Sequence, residues 1–93
     1  MNTFYVITNY QKDPELKTAG SIKDYLESKG KTCYIQKPEN GFLPEQYRYT
    51  DAQKIPNGVE CVLVLGGDGT LLQAARDLVE CSLPLLGINM GTL

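Results

Sequence analysis

Apolar positions along the chain switch between two periods, and the switches mark its elements. Residues 4–8, FYVIT, are β-branched or aromatic with no charged break, as in a buried strand. Asp13 followed by Pro14 signals a helix start: a capping side chain, then a ring already set to helical φ. Leu16, Ala19, Ile22 and Leu26 fall on one face of that helix, and Gly30 supplies its stop. Residues 32–36, TCYIQ, predict a second strand. VECVLVL, residues 59–65, is almost continuously apolar, the pattern of an interior parallel strand covered on both faces. Helical spacing returns over 70–80, with Leu71, Ala74, Ala75 and Leu78 on one side and Arg76, Asp77 and Glu80 on the other. After Pro84, LLGI predicts a last short strand.

Strand, helix, strand, strand, helix, strand implies an α/β fold: an open, mostly parallel sheet flanked by helices and joined by right-handed crossovers. One stretch stands apart. Residues 37–58, KPENGFLPEQYRYTDAQKIPNG, hold three of the five prolines and read as a long irregular connection with a short helix around Glu45 to Arg48. Connections of that length in a compact domain are usually functional or mobile. Tyr47 and Tyr49 within it read as covering a core edge rather than lining a site.

Composition narrows this picture. At 93 residues, the chain is one small domain with a modest core. It is 42% hydrophobic and 22% charged, a globular balance. A net charge of −2 without a basic run gives no electrostatic support for nucleic acid or an anionic membrane as partner. No apolar run approaches the roughly 20 residues a membrane span needs. MNTFYVITNY has no leader pattern, so a cytoplasmic location is expected. Three cysteines, Cys33, Cys61 and Cys81, without a CxxC pair read as free thiols in a reducing compartment. The chain has no histidine, which removes any imidazole relay and argues against a zinc site.

The candidate chemistry lies in VLVLGGDGTLLQ, residues 62–73. Gly66, Gly67, Asp68 and Gly69 come at the carboxyl end of the expected interior strand, where open α/β sheets bind ligands. Glycines let a ligand approach the backbone, and the following helix N-terminus favours an anion, above all a phosphate. The loop matches neither GxxxxGK[ST] nor GxGxxG, since Leu72 stands where a third glycine would be. Asp68 sharpens the reading, because a carboxylate about 4 Å from a phosphate charge is repelled by roughly 4 kcal/mol at an effective dielectric near 20. Three roles stay open for it: a helix N-cap, a ligand to a divalent cation that neutralises phosphates, or a base accepting a proton from an attacking hydroxyl. Thr70 and Gln73 fit a capping box one turn on, which would leave Asp68 free to face the crevice. A second glycine segment, GINMGTL at 87–93, follows the last strand and should lie beside the first loop. Its Asn89 can orient a ribose or phosphate oxygen, or satisfy its own turn.

Gly66-Gly67-Asp68-Gly69-Thr70 resembles the GGDGT signature of the superfamily that joins NAD kinases, lipid kinases of the diacylglycerol and sphingosine type and, more remotely, phosphofructokinases. The flanks separate them. Leu71, Leu72 and Gln73 lack the Leu-Asn-Glu of the lipid kinases, and Asn89 stands where their later loop has proline. Gly87-x-Asn89-x-Gly91-x-Leu93 is instead similar to the GxNxGxLGFL segment of NAD kinases, as is VLGGDGTLLQAAR at 64–76. The favoured resemblance is therefore to the N-terminal Rossmann-like domain of an NAD kinase, with a lipid kinase or a non-catalytic nucleotide-binding module as alternatives.

That resemblance implies phosphoryl transfer from ATP or a related donor to the 2′-hydroxyl of the adenosine ribose of NAD, giving NADP, with a divalent cation, Mg²⁺ or Mn²⁺. Asp68 matches the family's proposed general base; Gly67, Asp68, Gly69 and Asn89 match its nucleotide-binding positions. The family motif continues with Gly-Phe-Leu and a β-rich domain, so residues 1–93 are expected to be an incomplete N-terminal piece, inactive alone. A homo-oligomer is compatible with the full-length parent.

Overall fold

The computed structural model describes residues 1–8, 13, 16–36 and 52–89, apart from the side chain of Asp68. Its elements are β1 (Thr3–Thr8), α1 (Lys17–Ser28), β2 (Thr32–Ile35), a short 3-10 turn (Ala52–Lys54), β3 (Cys61–Gly66), α2 (Asp68–Asp77) and β4 (Leu85–Asn89). The expected short helix at Glu45 to Arg48, Tyr47 and Tyr49 lie outside the described residues, as do Met90 to Leu93.

The strands form one four-stranded sheet in the order β2-β1-β3-β4, and every pairing is parallel. This is the open α/β sheet that the alternation of elements implied. β3 is interior and all six of its residues are buried, which is why it reads as an unbroken apolar run. Alternate residues serve opposite faces. Cys61, Leu63 and Leu65 join Val6, Cys33 and Ala19 under α1. Val62 and Val64 join Tyr5, Ile7, Ala74 and Leu78 under α2. The helices lie on opposite faces because β1 and β3 feed right-handed crossovers that run in opposite directions along the sheet.

The end of α1 follows the sequence closely. Gly30, at φ +79, donates to Glu27 O, and Lys31 donates to Leu26 O. These two bonds close a Schellman turn that only a residue at ease with positive φ enters without strain. The start differs. The helix begins at Lys17, after Leu16 at φ 58, so Asp13 is not the adjacent cap that the Asp13-Pro14 pair predicted. Asp13 lies further back and reaches the same amides through its side chain.

Candidate functional site

β3 runs directly into α2 through Gly66 and Gly67, at the carboxyl edge of the sheet. Gly66 has φ +153, a region other residues rarely adopt. A Cβ there would stand 2.6 Å from Thr70 Oγ1, 2.8 Å from its Cβ and 3.1 Å from its Cγ2. Thr70 thus packs onto the bare α-carbon of Gly66 and brings the first turn of the helix onto the strand end. Gly67, extended at φ −99 and ψ −167, is the capping residue. Its carbonyl accepts the amide of Leu71 at 3.2 Å, but it has no side chain to lend to the helix amides. Gly69 is exposed, and among the described residues a Cβ on it would meet nothing within 4 Å beyond its own helix backbone and chain neighbours.

Two sequence expectations change here. The helix opens at Asp68, so Thr70 is its third residue rather than its cap, and the predicted capping box is not formed. Gln73 donates instead to Asp77 Oδ1 at 2.8 Å, one turn onward. By the same backbone geometry Asp68 is the first helical residue and Gly67 the cap, so the N-cap role weighed for Asp68 does not hold. The direction of the Asp68 side chain lies outside the described structure.

The second glycine segment arrives where expected. Gly66 pairs with Asn89 in the β3–β4 ladder, so the exposed Asn89 closes the strand beside the glycine turn. Gly87 lies under α2, where a Cβ would come within 2.9 Å of Leu71 Cδ2. On the other side of β3, Leu65 pairs with Thr8. The carboxyl ends of β1, β3 and β4 therefore form a continuous ledge carrying Thr8, Gly66 and Asn89.

Sequence reading took Asp13 as a helix cap but did not place it on this ledge. Asp13 is 1% exposed, yet its carboxylate is fully engaged. Thr18 N–H donates to Oδ1 at 2.7 Å, Ala19 N–H to Oδ2 at 3.0 Å and the Thr8 hydroxyl to Oδ2 at 3.0 Å. Burial alone would push its pKa up; the hydrogen bonds from Thr18, Ala19 and Thr8 outweigh burial and hold the carboxyl below its ordinary value. The signal in the sequence was Asp13 itself, but the cap was assigned to its nearest amides rather than to those five and six residues on. Gly66 was also undervalued, since the steric demand for glycine falls on it rather than on Gly69.

Among the described residues there is no group of three or more His, Cys, Asp or Glu side chains that could hold a metal ion. Cys33 and Cys61 are buried free thiols whose pKa burial raises, and Cys81 is a half-buried free thiol. No described helix is long and apolar enough to cross a membrane.

Known proteins match almost the whole chain. The profile of the ATP-NAD kinase N-terminal domain matches residues 4–93. The chain is 44% identical over its whole length to an NAD kinase of Lachnospira eligens, of which it covers 32%. It is 46% identical over its whole length to one of Lachnoclostridium phytofermentans, covering 31%, and 34% identical over 85 residues to one of Nitrosococcus oceani, covering 29%. The chain thus spans about a third of the length of the curated relatives it matches. The matches favour neither the lipid-kinase nor the non-catalytic alternative, and the chain belongs to the ATP-NAD kinase family, within its N-terminal domain.

Proposed function

We propose that the full-length protein is an NAD kinase and that these 93 residues supply its phosphate-binding turn and base. The observation that supports this most is the pairing of Gly66 with Asn89, which sets two family-matching segments side by side at a helix N-terminus. NAD and ATP, or a related phosphate donor, are the substrates. Backbone amides after Gly67 take a phosphate, and the open space over the Gly69 α-carbon admits the nucleotide closely. Asn89 orients a ribose or phosphate oxygen. Asp68 accepts the proton of the ribose 2′-hydroxyl as that oxygen bonds to the γ-phosphorus and the bond to the leaving diphosphate breaks.

A divalent cation, Mg²⁺ or Mn²⁺, fits this donor set as a companion of the nucleotide rather than a resident of a protein cage. Mg²⁺ is commonly held by one or two carboxylates plus substrate phosphates, and no described cluster offers more. Held chiefly by the substrate phosphates, the cation would neutralise their charge and leave Asp68 to act as the base. We further propose a cytoplasmic protein that can form a homo-oligomer, with neither nucleic acid nor membrane as partner. The relatives' greater length supports assigning the activity to the full-length protein, so the 93 residues alone are expected to form no NADP.

The test is Asp68→Asn in the full-length protein. NADP formation should fall by roughly 10²- to 10⁴-fold, the usual worth of a general base, while NAD binding by calorimetry stays close to that of the parent. Turnover equal to the parent's would remove Asp68 from the chemistry.

A further inference from the structure

The two faces of the sheet are covered unequally where it reaches β4. On the α2 face, Leu85 packs against the core under that helix and Gly87 lies under Leu71. On the α1 face, the parallel register carries one apolar row from Val6 through Leu63 to Leu86 and another from Leu65 to Ile88. Val6, Leu63 and Leu65 are buried in the α1 core, whereas Ile88 is half-buried and Leu86 is 56% exposed. A lone exposed leucine is ordinary. Here two neighbours on one strand face prolong rows that are buried a single strand away. A further right-handed crossover outward from β4 would set its helix on the α2 face, as the β3–β4 crossover does. Cover for the α1 face at β4 therefore comes from a more distant part of the protein.

We propose that the α1-side face of β4, at Leu86 and Ile88, is a docking surface for the chain that follows Leu93 in the full-length protein. The match covers 32% and 31% of two curated relatives, so about two thirds of their length lies outside it and must be packed somewhere. A second copy of the chain fits the patch less well. A face centred on two side chains falls short of the roughly 1,000 Å² that a stable interface between separate molecules buries. A tethered segment needs no such area, because its effective concentration is on the order of millimolar. The consequence reaches the candidate site. Asn89 follows Ile88 directly and pairs with Gly66, so the docked segment holds β4 one residue from the glycine turn. This docking needs the longer protein proposed above and is independent of the role of Asp68.

The experiment is thiol labelling and photo-crosslinking of the full-length protein. In Leu86→Cys, a maleimide followed by peptide mapping should label position 86 about tenfold or more slowly in buffer than in urea, a slowing well beyond what 56% exposure alone would give. The slowing should persist when the protein is diluted. Ile88→Cys, on the same face, serves if the first variant does not fold. A photo-crosslinking amino acid in place of Leu86 should join position 86 to a peptide from beyond residue 93, in a product with the mass of one chain. Labelling at the rate seen in urea, a crosslink confined to residues 1–93, or no crosslink would overturn the docking. Protection lost on dilution, or a crosslinked product of twice the mass, would give the face to a second copy and overturn it equally. Full turnover of Asp68→Asn would overturn the proposed base and leave each of these readings as it stands.

Discussion

Replacing Gly66 and Gly69 separately by alanine should give opposite outcomes, although the two glycines stand three residues apart in one signature. At Gly66 the new methyl would lie 2.8 Å from Thr70 Cβ and 2.6 Å from Thr70 Oγ1. Rotating χ1 of Thr70 moves the oxygen and the methyl but not Cβ, so the strand end or the helix start must shift. Overpacking of this kind costs about 1–3 kcal/mol, and holding alanine at φ +153 adds about 1–3 kcal/mol. Together they remove a large part of a typical domain stability of about 5–15 kcal/mol. At Gly69 no described residue outside the helix's own backbone and chain neighbours lies within 4 Å of the added carbon, and alanine gains up to about 1 kcal/mol of helix propensity. Thermal and urea unfolding of the full-length variants should therefore show Gly66→Ala strongly destabilised and Gly69→Ala level with the parent or above it. Turnover should report the converse at Gly69, because a methyl on the proposed nucleotide-facing α-carbon would displace the nucleotide. A fall in kcat/KM of about ten- to a hundredfold is expected without loss of stability. Equal stability of Gly66→Ala and the parent would refute the packing of Thr70 on the strand end, and full turnover of Gly69→Ala would refute a close approach of substrate there.

Other substitutions test the groups around the ledge. Thr8→Val removes one of the donors to the buried Asp13 carboxylate and should lower stability by about 1–3 kcal/mol in denaturant titrations, as for other bonds to a charged group. Because the folded-state pKa of Asp13 lies below its ordinary value, its contribution is present at pH above the unfolded value near 4 and disappears as pH falls through the folded one. The parent should therefore lose its stability advantage over Asp13→Asn at acid pH while keeping it at neutral pH, as thermal midpoints across the range will show. A thiol reagent applied to the native protein should label Cys81 first and reach the buried Cys33 and Cys61 only on unfolding, as peptide mapping will show.

The strands were legible in the sequence to within a residue or two because burial on both faces leaves long apolar runs, and β3 is the clearest case. Helix starts were less legible, and each miss has a physical cause. At α2, Thr70 and Gln73 satisfy a capping pattern by type and spacing, but the strand reaches the helix without a loop. With no room for a cap at Thr70, the cap falls three residues earlier, at Gly67, and Gln73 turns to Asp77. At α1, the cap was placed by adjacency in sequence, whereas a turn holding Leu16 at positive φ carries Asp13 back over the amides of Thr18 and Ala19. Side-chain reach decided both cases, and composition patterns carry no measure of reach. The glycines show the same limit. GGDGT marks the place of the turn, but only the position of Thr70 tells which glycine the protein's own packing requires.

The site's geometry is therefore inherited from the core beneath it. Along β3, Leu63 and Leu65 belong to the α1 face and Val62 and Val64 to the α2 face, and each set meets a different helix. A slip of one residue would exchange the two sets, so the register is fixed by burial on both sides at once. That register alone sets Gly66 against Asn89 and Leu65 against Thr8. Three of the four residues of the glycine turn, Gly66, Gly67 and Gly69, have no side chain with which to impose those pairings. The turn can be composed largely of backbone, as the proposed phosphate-binding role requires, because the strand that delivers it is buried along its full length.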